Sequence, residues 1–266
     1  MKRRWNCGDK MQQMVLATGQ LSDAATITGP VGAGDLGIGN LQQKSLQLPY
    51  RVIGSTVTLD IDLLAARAIN LFAVIGHSGS ATATARVTAG ATVGASTYDS
   101  GSLPFVTGTK QTAKSLFLLF IKPAKTYRYW RIEISDTGAP YLDLGRLYVS
   151  NAFQPTYNMV YGFQQGVVDP SQEFGTISGD SISLKRRKYR FADLTLEDLT
   201  EDEVFGRVFP LDQYAGSTED VLFVPDPEQS TYLQQQAIYG KMDVNPNAIT
   251  AFNRYSRQYK IRELLP

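Results

Sequence analysis

Ser55-Thr-Val-Thr-Leu-Asp-Ile-Asp62 alternates Val57, Leu59 and Ile61 with polar neighbours. That period of two belongs to a strand with one face buried and the other wet. Working outward, Ile69-Asn-Leu-Phe-Ala-Val-Ile-Gly76 is a short β-rich run that stops at glycine, and Thr82-Ala-Thr-Ala-Arg-Val-Thr88 alternates again before a turn-rich Ala89 to Ser96. Leu116 to Ile121, Tyr127-Arg-Tyr-Trp-Arg-Ile-Glu-Ile134 and Tyr141-Leu-Asp-Leu-Gly-Arg-Leu-Tyr-Val149 complete the series. Short strands at this spacing with almost no helical period predict an antiparallel sandwich or jelly roll.

The remainder mixes types. Tyr189 to Leu196 alternates as a strand. Thr200-Glu-Asp-Glu203 fits a capping box ahead of Val204 and Phe205, and its acids suit the positive end of a helix dipole. The helix is expected to run to about Ala215, strained or interrupted at Pro210. Val221 to Val224 is then a strand cut off by Pro225-Asp-Pro227, and Ala237 to Val244 with Tyr255 to Leu264 form a final pair. This order predicts a small sheet with one helix packed on it. A boundary is placed near Asn151-Ala-Phe-Gln-Pro155, where proline follows a strong strand. Residues 1–152 hold fifteen Lys/Arg against nine Asp/Glu, and residues 153–266 eleven against sixteen. Such opposite charge suits copies that pack side by side or end to end, and ordinary scatter between two domains accounts for it equally well.

Composition excludes more than it selects. The 266 residues are 43% hydrophobic and 19% charged, a globular balance. The net charge of +1 creates no overall field to recruit nucleic acid or an anionic membrane. There is one histidine, His77, and one cysteine, Cys7. They allow no intrachain disulfide and no usual zinc set, and any histidine-based triad would rest on His77 alone. The expectation is therefore no enzyme, no cofactor and no metal. The basic start Met1 to Lys10 has no long apolar run after it. The most apolar window, Ser115 to Ile121, falls far short of the roughly 20 residues of a membrane span. A soluble chain made in a reducing compartment is expected.

Each chemical motif has a plainer reading. Gly32-Ala-Gly-Asp-Leu-Gly37 matches G-x-G-x-x-G, yet Thr26 to Thr28 is a weak strand stopped by Pro30, no helix follows Gly37, and Asp60 begins no βαβ unit. It reads as a surface loop. His77 reads as a loop residue with a local hydrogen bond. Lys185-Arg-Arg-Lys188 could meet phosphate, but reads better as a solvated strand end or a subunit contact. Glu197 to Glu203 lacks a calcium loop's ligand spacing and reads as a helix start. Tyr129, Trp130, Tyr141 and Tyr148 could stack on sugar rings. Trp130 with Ile132 and Ile134 is the expected inward set, which leaves sugar binding to loop tips.

Particular phrases carry a resemblance. Asp60-Ile-Asp-Leu, Ala68 to His77, Tyr98-Asp-Ser-Gly101, Tyr129 to Ile134 and Leu142 to Tyr148 resemble discoidin-like, galactose-binding-like jelly rolls over residues 20–152. With Lys185 to Phe191, Ala215 to Pro227, Ala237-Ile-Tyr-Gly240 and Phe252 to Leu264, the order is similar to minor and distal tail proteins of long-tailed bacteriophages and prophages. The resemblance implies an N-terminal segment 1–19, a galactose-binding-like jelly roll 20–152, and a smaller tail-tube-like β-sandwich with one helix at 153–266. It also implies a virion structural protein of the tail tip or baseplate, made in the host cytoplasm. The chain would join a homo-oligomeric ring, with six copies the leading expectation and three the alternative. Tail tube, hub and fibres would be its neighbours, with no nucleic acid and no membrane span. The alternative is a carbohydrate-binding adhesion module for cell-surface glycan. No ligand residue of that family can be carried over onto this chain.

Overall fold

The computed structural model describes residues 13–109, 115–175, 180–229, 231–243 and 245–264. Cys7 and the basic start lie outside the described residues. Strands run in chain order as β1 Val15–Thr18, β2 Thr26–Thr28, β3 Tyr50–Ile53, β4 Thr56–His77, β5 Thr84–Gly90 and β6 Tyr98–Asp99. Next come β7 Leu103–Pro104, β8 Ser115–Ser135, β9 Tyr141–Leu144, β10 Arg146–Ser150, β11 Gln164–Val168 and β12 Gln172–Gly175. The last are β13 Ser181–Leu184, β14 Tyr189–Leu199, β15 Val221–Val224, β16 Ile238–Asp243, β17 Ala248–Ala251 and β18 Arg254–Glu263. The protein is mainly β, and its strand pairs are antiparallel.

The first sheet has the order β10-β4-β8-β5-β6, with β2 also on β4 and β7 on β5. A two-stranded sheet, β3-β9, closes the other side of the sandwich. Val57, Leu59 and Ile61 of β4, Trp130, Ile132 and Ile134 of β8, and Tyr50, Val52, Leu142 and Leu144 of β3 and β9 share one core. The alternation read from Ser55 to Asp62 thus puts its apolar members inside as expected. Two pairs of expected strands merge, however, because β4 and β8 each run through what looked like a break. Their register shifts between Asp62 and Arg67, where Leu64 takes a positive φ of 65° and its N–H donates to the Asp62 carboxylate at 2.8 Å. This bulge bends the ladder without ending it.

The second sheet runs β1-β15-β16-β18-β14-β11, with β17 on β18. It is larger than the small sheet expected. Val15–Thr18, which the sequence reading leaves in a separate segment 1–19, pairs along its whole length with Val221–Val224. A helical run crosses one face of this sheet: α1, Gln20–Asp23, lies elsewhere, and the run comprises α2 Glu201–Glu203, a π turn Val204–Val208 and α3 Phe209–Ala215. Thr200 and Glu203 form the reciprocal capping box. Pro210 does not break the run. The turn before it widens, the Phe209 N–H reaches back to the Val204 carbonyl, and Pro210 falls in the first turn of α3, where a missing donor costs least. Val204, Val208 and Ala215 pack down onto Leu194, Leu196, Phe223 and Tyr259.

Between the sheets lies a third core. In β4, Phe72 and Val74 face the sandwich interior, while Leu71, Ala73 and Ile75 face the second sheet. In β15, Val221 and Phe223 face the helix, while Leu222 and Val224 face Leu71 and its neighbours. Strands buried on both faces read as continuous apolar runs, which explains the unbroken character of Ile69 to Ile75 and Val221 to Val224. The chain is packed where the boundary near Asn151 to Pro155 is placed. Ala152 and Phe153 are buried, Asn70 holds the Ala152 N–H and carbonyl at 2.7 and 2.9 Å, and Phe153 exchanges backbone hydrogen bonds with Leu16.

A charged network crosses this junction. The Arg146 side chain is 0% exposed; its Nε donates to Asp220 at 2.9 Å and its two Nη groups to Asp23 at 2.5 and 2.8 Å. The Tyr148 hydroxyl donates to Asp220 at 2.6 Å. The Tyr239 hydroxyl lies 2.9 Å from Asp220 and 2.7 Å from the Lys44 carbonyl. Burial alone would raise the Asp220 pKa, but the Arg146 charge and these hydrogen bonds outweigh it and hold the carboxyl below its usual range. The same burial, beside Asp220, pushes the Tyr148 and Tyr239 hydroxyls up.

Candidate functional site

The outward positions of the first sheet form a polar platform. Because side chains alternate, placing Ile61 and Trp130 inside forces Asp60, Asp62, Tyr129 and Arg131 outside. Asp60 stands opposite Arg131, and Asp62 opposite Tyr129, with Thr28 and Thr26 next in the same rows on β2. Arg131 donates to Asp60 through Nε at 2.7 Å and Nη2 at 3.0 Å. Arg128 holds Asp62 the same way at 2.7 and 2.8 Å, and its guanidinium lies 4.8 Å from the Tyr129 ring centre. The Arg128 hydrogen bonds hold the Asp62 carboxyl below its ordinary pKa. In the next row Arg86 clasps Asp99, whose pKa falls to about 2 for the same reason. Pairs as exposed as these add little to stability. Their effect is to fix the guanidinium planes and the spare carboxylate lone pairs in space.

Thr26, Thr28, Asp60, Asp62 and Tyr129 line a cleft of about 190 Å³ with Val93 at its rim. This is smaller than the ~300–1,000 Å³ of a drug-sized ligand site. Its carboxylates are neutralised by arginine, its hydroxyls donate and accept, and one aromatic ring stands at the edge. Such a lining offers hydrogen-bonding groups beside an aromatic ring and no aligned nucleophile and base.

The residues singled out in the sequence are scattered. Trp130, Ile132 and Ile134 point inward as expected. Tyr129 borders the cleft, whereas Tyr141 lies on β9 with Arg51 stacked 4.3 Å from its ring centre, and Tyr148 is buried in the junction. His77 closes β4 at the mouth of the following loop and makes the expected local hydrogen bond. It is wholly buried at the end of β4, with its ring centre 3.8 Å from that of Phe105 and Nδ1 accepting from the Gly79 N–H at 3.2 Å. Gly32 to Gly37 forms a tight turn in which the Leu36 N–H donates to the Ala33 carbonyl, followed by a five-residue 3₁₀ turn, Ile38–Gln42. Lys185 to Lys188 are exposed at the root of a hairpin, with Lys188 3.0 Å from Asp169. Among the described residues no group of three His, Cys, Asp or Glu side chains could hold a metal ion, and no helix is long and apolar enough to cross a membrane. The sequence reading missed Asp62, Arg128 and Arg131 as a set. Their signal was the outward phase of two alternating strands whose register it could not supply.

No family model and no curated protein matches the chain. Among solved structures it is similar to the CBM32 of AlyQ in complex with 4,5-unsaturated mannuronic acid, at 17% identity and TM-score 0.37 over 47% of this chain and 94% of that one. It is also similar to the family 32 CBM of NanJ from Clostridium perfringens in complex with galactose, at 11% identity and TM-score 0.37 over 50% and 98%. A third is chitosan-binding module 1 from the chitosanase/glucanase of Paenibacillus sp. IK-5, at 16% and 0.36 over 48% and 96%. The sandwich assignment rests on the strand order described above.

Proposed function

We propose that this chain is a structural subunit of a multi-copy assembly. On the resemblance in its sequence, that assembly is the tail tip of a long-tailed phage virion, with a ring of six copies, or three, carrying the jelly roll outward. One observation carries the reading: the second half projects hairpins whose apolar side chains lie in solvent, with Ile182 61%, Ile249 76% and Phe252 92% exposed. Apolar residues on projecting strands invite pairing with another chain. The packed junction supports the same reading, because a subunit that transmits position needs its halves fixed together. No catalytic group is required. Gold-labelled antibody on intact particles and fractionated lysate tests this: label at the tail end opposite the capsid is expected, and label on no particle would sink it.

The cleft at Asp60, Asp62 and Tyr129 favours a second reading, in which the jelly roll holds a cell-surface glycan. Binding would raise the melting temperature in galactose or a related sugar by mass action. Tyr129→Ala with Asp62→Ala should remove the shift, and an unshifted wild-type curve across a sugar panel counts against it.

A further inference from the structure

The ladder of β11 and β14 continues past the edge of the second sheet as a two-stranded arm, β12 and β13, whose strands pair only with each other among the described residues. Every described residue of these two strands is exposed. Phe174 stands directly opposite Ile182, and Leu184, opposite Gln172, is two positions along. Phe174, Ile182 and Leu184 therefore share one face of the ribbon, with Glu173 and Ser183 on the other. The run Lys185 to Lys188 sits at the arm's root.

A second exposed apolar surface has the complementary character. Phe205 and Phe209 project from the helical run, with ring centres 6.4 Å apart, and Phe205 meets Tyr255 edge-on at 5.8 Å. Ile249 stands opposite Tyr255 across the β17–β18 ladder, and Phe252 caps the turn between those strands. Glu201 and Asp202, both exposed, precede Phe205 by four and three residues, so they lie on the same side of the helical run. One surface is apolar with a basic root, and the other is apolar with an acidic edge.

We infer that the arm of one copy docks on the Phe205–Phe209–Ile249 surface of a second copy, with Lys185 to Lys188 facing Glu201 and Asp202. This rests on the assembly reading above and names its contact. The two surfaces differ, so the interface is heterologous. Repeated head to tail it closes into a ring or extends into a filament. Charge complementarity sets the register, and the apolar side chains supply the buried area.

The test uses the full chain with Cys7→Ser, so that added cysteines are the only thiols. Ile182→Cys and Phe209→Cys variants, differently tagged, are mixed and oxidised. Mixed-tag disulfide dimers are expected, well above any same-tag product. In parallel, changing Lys185, Arg186, Arg187 and Lys188 to Glu should weaken self-association roughly tenfold or more by sedimentation. Adding Glu201→Lys and Asp202→Lys should restore it, with circular dichroism confirming the fold throughout. Wild-type self-association that survives the reversal, or arm-to-arm crosslinks, would overturn the docking and leave the assembly reading standing. A chain that is monomeric at every concentration overturns both, and docking of the arm on a different protein overturns the second copy as its partner.

Discussion

Arg146 is a guanidinium with no exposed surface between two carboxylates that come from opposite ends of the chain. A buried ion pair adds little stability over a well-packed apolar substitute, but removing one partner strands the other. Arg146→Met leaves Asp220, itself 1% exposed, without its cation, and should cost about 3–5 kcal/mol in urea unfolding. Arg146→Lys should recover only part of this, since an ammonium cannot span Asp23 and Asp220 with a planar fork. Gly19 belongs to the same site, because a Cβ there would run into the Arg146 guanidinium and crowd the Tyr148 ring. At this scale the sequence was mute. Arg146 and Asp220 lie in phrases 74 residues apart, and nothing in either phrase names the other.

At the scale of elements, local chemistry was legible. The capping box read from Thr200-Glu-Asp-Glu203 is formed: the Glu203 N–H donates to Thr200 Oγ1 at 3.2 Å, and the Thr200 N–H to the Glu203 carboxylate at 2.9 Å. Glu203 also accepts from the Thr156 N–H at 2.7 Å, tying the helix start to the chain after the junction. Thr200→Ala should lower stability by about 1 kcal/mol, read as a shift of the urea midpoint at unchanged slope. Glu203→Ala should cost more, because it frees two backbone donors rather than one. Strand ends were less legible than strand phase. The Asp62–Arg67 bulge looks like a loop in sequence, yet β8 pairs across it and keeps β4 continuous.

At the scale of the whole molecule, the junction makes stability depend on pH at both extremes. The Asp220 pKa is depressed in the fold, so its contribution is complete above the unfolded value of about 3.9 and is lost as pH falls through the lower folded value. The Tyr148 and Tyr239 pKa values are raised, so the folded state keeps protons that the unfolded chain gives up near pH 10. Stability should therefore decline as pH rises above about 10. Thermal melts across pH check both limbs, and Tyr239→Phe should flatten part of the alkaline one. Tyr148 and Tyr239 should contribute their tyrosinate absorbance only as the chain unfolds.

Period-two alternation is local, so the sequence alone determined an antiparallel β protein, the inward set of Trp130, Ile132 and Ile134, and the capped helix after Leu199. Its single histidine and single cysteine also narrowed the chemistry before any fold was known. Only the tertiary structure decided which strands neighbour which. That choice places Val15–Thr18 in the second sheet, buries Ala152 and Phe153 at the junction, gathers Asp60, Asp62, Arg128 and Arg131 into one platform, and leaves Phe174 and Ile182 exposed. Each of these depends on pairing between distant segments, and an apolar strand does not state in its own residues which partner will bury it.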